Sequence, residues 1–165
     1  MEITTAKRDE KFIAAFSGHL NEKANLRKLN VDDYEMVFLN FAEIKSVNSI
    51  GIKTWVDWVE WQREDTNFVF QELPPVLINT LNTVEGMLPF TSVCESFYAP
   101  YYNSENDISK NILLKLGENY TQQEFDSSSI MTIKDEHNLT FEFDGIAKKY
   151  FKFLEKFFVD IKINN

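Results

Sequence analysis

The sequence predicts an α/β protein: a mixed sheet with helices, followed by a small β-hairpin region and a C-terminal helix. Three observations carry that expectation. Strand-like and helix-like segments alternate over the first half of the chain, which parallel crossovers satisfy most simply. Met36-Val37-Phe38-Leu39 is an unbroken apolar run of the kind found in a central strand covered on both faces. The 44% hydrophobic and 15% aromatic content supplies a packed core and sets disorder aside. The 165 residues have room for one domain with an appendage, or for two very small domains.

Glu2 to Lys7 and Lys11 to Ser17 read as strands joined by the polar turn Arg8-Asp9-Glu10, hence a hairpin. Ser17-Gly18-His19-Leu20-Asn21 stops the second strand, and Asn21 is placed to cap a short helix through about Leu29. After the central strand, Ile50 to Gln62 has helical spacing. Phe68-Val69-Phe70 forms the next strand, and Pro74-Pro75 ends it and opens a helix with Leu77, Leu81, Val84 and Leu88 on one stripe. A strand around Ser92 to Phe97 closes a unit spanning residues 1–97. In the remainder, 98–165, polar turn-rich stretches (Tyr101 to Asp107, Gln122 to Ser129) separate short strands at Ile112-Leu113-Leu114, Ile130 to Ile133 and Leu139 to Phe143. A last helix is expected from Gly145 to Ile161, with Ile146, Tyr150, Phe153, Phe157 and Ile161 as its apolar stripe and Lys148, Lys149, Lys152 and Lys156 on its wet face. Such a helix suits core or dimer packing better than a membrane surface, because its apolar stripe is too wide to stay exposed.

Charge narrows the function classes. With 17 Lys+Arg against 26 Asp+Glu the net charge is -9, and neither half of the chain is basic, so duplex nucleic acid and anionic membrane are poor partners. The single cysteine, Cys94, excludes an internal disulfide framework and a cysteine-based zinc site, and reads as a small buried hydrophobe. No apolar run approaches the ~20 residues of a membrane-spanning helix, and Met1-Glu2-Ile3 begins no signal peptide, so a soluble cytoplasmic protein is expected. Catalytic sets are missing: His19 and His137 have no motif partner, the five glycines form no phosphate loop, and the carboxylates assemble no calcium loop. An enzyme is not expected, nor a cofactor or metal.

The most informative stretch runs from Glu35 through Phe38, Asn40 and Lys45 to Asn48-Ser49-Ile50-Gly51: a buried strand, a loop, then a polar pair and glycine opening a helix. This resembles the STAS domain, the family of anti-sigma-factor antagonists and related bacterial regulators, whose pattern here is strand, loop, then Asp-Ser-Ser-Gly-Leu-Gly. Phe12 to Asn21 resembles the family's second strand and its exit, and Phe68 to Pro75 its later strand leading into a helix; the likeness covers roughly residues 2–97. It implies a regulatory protein–protein interaction module in which a kinase-like partner phosphorylates the serine matching Ser49 and so abolishes binding. Two departures stand out: Asn48 replaces the family's aspartate, and Gly51-Ile52-Lys53 replaces Gly-Leu-Gly. The physics suits a switch, since a phosphate at a helix start brings ~1.5–2 negative charges into a docking surface. The plainer reading makes Ser49 only a helix cap, worth ~0.5–2 kcal/mol, in a non-switching scaffold or dimerisation subunit. Gly51 likewise has a plain role in close helix–strand packing.

In the helix after Ser49, the stripe Ile52, Trp55, Val56 and Val59 is expected to face the sheet, with Trp58 at its shoulder and Trp61 nearly opposite. An indole on the outer side needs a cover, from the C-terminal region or from a partner. The partner-binding set is therefore Asn48, Ser49, Ile50, Gly51, Lys53, Trp58 and Trp61, and the partner a regulatory protein such as a serine kinase or anti-sigma-like factor, with a homodimer as the other arrangement. A fainter likeness marks the C-terminal region. Tyr101-Tyr102-Asn103 with Asn106, and Lys134-Asp135-Glu136-His137, sit where the two knuckles of a zinc ribbon would be, without thiolates to hold an ion. A metal-free ribbon or an unrelated hairpin insert both follow, with the C-terminal aromatics supplying the core a metal would have nucleated.

Overall fold

A computed structural model describes residues 1–121 and 125–157. The N-terminal hairpin forms as expected: β1 (Glu2–Arg8) pairs antiparallel with β2 (Lys11–Leu20), and Asp9 adopts the left-handed conformation (φ 53°) that closes the tight turn. Strand β3 (Met36–Val47), β4 (Asn67–Gln71) and β5 (Thr91–Cys94) then add in parallel, so the first sheet has the order β1-β2-β3-β4-β5. Helix α1 (Ser49–Val59) connects β3 to β4, and α2 (Pro75–Thr83) connects β4 to β5.

Several boundaries differ from the sequence reading, each for a local reason. Ser17 to Leu20 continue β2 instead of ending it; Gly18, at φ 88°, and a slipped register against β3 take up the irregularity. No helix follows Asn21, whose side-chain oxygen accepts from the Lys23 N–H (3.1 Å) and makes a turn. A 3-10 turn at Leu26–Lys28 takes the helix's place, and its three-residue period lets both Leu26 and Leu29 point inward. The loop expected before Asn48 is strand: β3 runs to Val47, burying Val37, Leu39, Phe41 and, past the slip, Ile44. Helix α2 ends at Thr83, leaving Val84 and Leu88 beyond it.

Instead of one strand from Ser92 to Phe97, the chain turns at Glu95 out of the first sheet and into β6 (Ser96–Asn103), which opens a second. There β6 pairs with β7 (Ile108–Lys115), β8 (Thr132–Lys134) with β9 (Thr140–Phe143), and the two hairpins join through β6 and β9 in the order β7-β6-β9-β8. Ile130 belongs to a 3-10 turn at Ser127–Ile130 and not to β8. Asn103 is buried and ties the hairpins together: its amide donates to the Thr140 carbonyl (2.7 Å) and its oxygen accepts from the Asn106 N–H (2.7 Å). Lys110 adds an ion pair with Asp135 (2.7 Å) and lies 3.9 Å from the Phe141 ring centroid. Those contacts occupy the tips where the ribbon likeness places its knuckles; His137 is exposed in the second turn.

A C-terminal helix is present, but over the described residues it is short and mostly 3-10. One helical turn, α3 (Ala147–Tyr150), passes into a 3-10 stretch, Phe151–Lys156, and the expected residues from Phe158 to Ile161 lie outside the described residues. With three residues per turn, Phe151, Leu154 and Phe157 line up and are buried, Phe153 beside them, while Ile146 is 61% exposed. No helix among the described residues is long and apolar enough to cross a membrane.

The core is aromatic and continuous. Phe16, Phe41 and Phe70 of β2, β3 and β4 stack in sequence (4.9 and 5.5 Å), and the Trp55 ring meets all three edge-on. Phe70 meets Phe157, Phe157 meets Phe153, and Phe153 meets Phe97 of the second sheet, so ring contacts run without a break between the sheets. Cys94 is buried as expected, and burial pushes its thiol up to about 12. Burial also raises the Tyr101 and Tyr120 phenols. An unfolded chain gives up these protons first, so the thiol's contribution to stability is complete below its ordinary value of 9.0 and is lost as pH rises from there towards about 12, with the phenols' loss following at higher pH. Urea midpoints should fall with pH above 9.0, and Cys94→Ala should flatten part of that slope.

Candidate functional site

The ends of β2 and β3 and the start of α1 meet at one point. The Asn48 N–H donates to the Leu20 carbonyl (3.1 Å), and Gly51 lies so close to β2 that a Cβ there would stand 2.0 Å from the same oxygen. Asn48, in extended conformation, caps α1: its Oδ1 accepts from the Gly51 N–H at 2.8 Å, and its Nδ2 donates to Glu22 at 3.1 Å. The Glu22 carboxyl is held below the usual carboxylate range by its own backbone N–H first and by this amide second.

The cap is thus Asn48 and not Ser49. Ser49 is the first helical residue, exposed, and its hydroxyl makes no hydrogen bond among the described residues. Ile50 beside it is 54% exposed. Lys53 is exposed but engaged, pairing with Asp57 at 2.8 Å one turn on, which raises its ammonium pKa.

The two outer tryptophans separate. Trp58 is buried by its own chain, donating from Nε1 to the Leu29 carbonyl (3.1 Å) and packing edge-on against Phe68 (5.9 Å). Most of its surface is given to that packing, and what remains lines a groove between α1 and the 24–32 segment. Trp61 remains 83% exposed, so the cover expected from the C-terminal region is not supplied by any described residue. Helical geometry puts Ile50, Thr54 and Asp57 on one outward stripe of α1, with Lys53 beside it, and Trp61 lies in the turn just past the end of the helix. The spacing i, i+4, i+7, i+11 was available to pattern reasoning, but two polar members hide it. Along that stripe lies a groove of about 730 Å³ between α1 and the 24–32 segment, with Thr54, Asp57 and Trp61 on one wall and Leu26, Arg27 and Asp32 on the other.

Among the described residues no three His, Cys, Asp or Glu side chains converge to hold a metal ion. The small apolar hollow of about 20 Å³ beneath Trp55 is lined by core residues only and offers no polar group to orient a ligand. The α1 region presents groups suited to binding: a free hydroxyl at the helix start, an apolar residue and an ion pair along α1, and an exposed indole just past its end. Comparison with protein-family models, with curated proteins and with solved structures finds no match.

Proposed function

We propose that the protein is a regulatory protein–protein interaction module that docks through the outer face of α1 and is switched by phosphorylation of Ser49. The observation that carries this is the division of labour at the helix start. Asn48 does the capping, so Ser49 has an exposed hydroxyl with no structural bond to keep. The resemblance of Asn48-Ser49-Ile50-Gly51 and its flanks to the STAS domain supports the same reading.

The geometry suggests how the switch works. A phosphate on Ser49 sits at the positive end of α1, beside Ser49 and Ile50 N–H groups that the helix leaves free. It stands four residues ahead of Lys53, the spacing at which Lys53 already holds Asp57. The phosphate draws the ammonium to itself, and Asp57 is left uncompensated in the middle of the docking stripe. The Glu22 carboxylate on the Asn48 amide adds to the negative field.

Ser49→Asp tests this cleanly, because an acid in the first helical turn is tolerated and the fold should keep its melting temperature. Phosphopeptide mapping of the protein from its native cells is expected to find phosphoserine at 49. A crosslinked regulatory partner is expected with wild type and Ser49→Ala, and not with Ser49→Asp. If position 49 stays unmodified across growth states and all three forms capture the same partners, the protein is a constitutive scaffold and the switch is wrong.

A further inference from the structure

Parallel sheets are normally covered on both faces, which is why their strands read as continuous apolar runs. In this protein β2 to β5 are parallel, yet α1, α2 and the C-terminal turn all pack on the face that carries Phe41 and Phe70. The opposite face holds an apolar row fixed by the register: Ala6 opposite Ile13, then Ile13, Phe38, Val69 and Val93 side by side across the sheet. Ile13, Phe38, Val69 and Val93 are half-buried and Ala6 is exposed, and none of the five is among the side chains that pack against the core. The apolar run Met36-Val37-Phe38-Leu39 fits a strand buried on both faces. The structure supplies one side.

The ends of this row carry opposite charge. At one corner Arg8 and Lys11 are directly paired across β1 and β2, two like charges whose juxtaposition is unfavourable, and the Lys11 ammonium leans over the face to 5.7 Å from the Phe38 ring centroid. Neither cation has an ion-pair partner among the described residues. At the far corner, just past β4 and β5, Glu72 is held by the Asn40 amide (2.9 Å) and the Tyr98 hydroxyl (3.0 Å), and Glu95 by the Gln71 amide (2.5 Å). These donors are all neutral, and neither carboxylate has an ion-pair partner among the described residues, although Lys115 lines the same hollow.

We propose that this open sheet face is the interface of a homodimer. A two-fold axis lying in the contact plane, across the line joining the corners, sets the Arg8–Lys11 corner of each copy on the Glu72–Glu95 corner of the other. The apolar rows then close on one another in a face-to-face sheet packing, and each like-charge pair gains its counter-ions. Basic and acidic corners on the same face, separated by an apolar row, fit a second copy of this chain better than a partner of uniform charge. The proposal does not depend on the role of Ser49, which lies on the helix side of the sheet.

Sedimentation equilibrium on the full chain tests it. A dimer is expected, with Phe38→Asp raising its dissociation constant by at least ~30-fold while the far-UV circular dichroism is kept. Since Phe38→Asp could perturb folding, charge exchange gives a second measure. Lys11→Glu alone and Glu95→Lys alone each weaken the dimer, and the two together in one chain restore it. A monomer at concentrations on the order of 100 μM, or a dimer indifferent to all of these substitutions, overturns the proposal.

Discussion

Gly51→Ala is expected to destabilise the protein by about 3 kcal/mol, at the upper end of what overpacking usually costs. Helix propensity alone predicts the opposite sign, since alanine in a helix interior is better than glycine by roughly 0.5–1 kcal/mol. Space decides between them. A Cβ on Gly51 would lie 2.0 Å from the Leu20 carbonyl oxygen, 2.3 Å from its carbon and 2.7 Å from the Asn21 nitrogen. All three are backbone atoms, so no rotamer change can make room, and α1 has to move off the end of β2. That movement breaks the Asn48 N–H bond to Leu20 and draws Asn48 away from Glu22. In a chain of this size the thermal midpoint should drop by roughly 6–12 °C. Urea unfolding monitored by tryptophan fluorescence measures it. Stabilisation by Gly51→Ala would sink the close helix–strand contact, and with it the geometry that leaves Ser49 exposed.

The parts of this structure that sequence made legible are those where local chemistry and tertiary packing agree. The β1–β2 hairpin, β4, the start of α2 at Pro74-Pro75 and the register of Trp55 on α1 all follow from turn residues and periodicity. Disagreement arises where two local patterns are equally good. Asn48 and Ser49 are both capable caps, and only the position of Gly51 against Leu20 selects Asn48. The aromatic run from Tyr150 to Phe157 satisfies a helical stripe and a 3-10 stripe alike, and docking on Phe97 and Phe143 selects the tighter one for most of it. In β3, Asn40, Glu43 and Lys45 look like loop residues, although they alternate correctly around an irregularity that no pattern anticipates. The outward stripe Ile50, Thr54, Asp57, with Trp61 just past the helix, is hard to see in the sequence because outward stripes are recognised by their apolar members, and here only the ends are apolar.

Phe153→Ala tests whether the two sheets form one cooperative unit, and its cost is expected to be about 3–5 kcal/mol. Phe153 is fully buried, meeting Phe97 edge-on at 5.1 Å and Phe157 at 6.2 Å, and Phe157 in turn meets Phe70 of the first sheet at 5.5 Å. The segment that carries it is clamped by polar contacts as well. The Tyr150 hydroxyl donates to the Tyr98 carbonyl (2.7 Å), Asn82 of α2 donates to the Tyr150 carbonyl (2.9 Å), and Lys156 donates to the Val84 carbonyl (3.1 Å). These bonds keep the segment from collapsing into the cavity, which puts the expected cost towards the top of the range. All three tryptophans lie in or just after α1, so their fluorescence reports on the first sheet's layer, whereas far-UV circular dichroism reports on both sheets. If the aromatic contacts couple the sheets, the two signals lose stability together in Phe153→Ala and their transitions coincide. A fluorescence midpoint left at the wild-type value, with circular dichroism showing an earlier separate loss, would mean that the second sheet melts alone. The expectation of coincidence rests on Phe157. Its ring joins the C-terminal turn to Phe70, through which the first sheet's stack reaches Trp55.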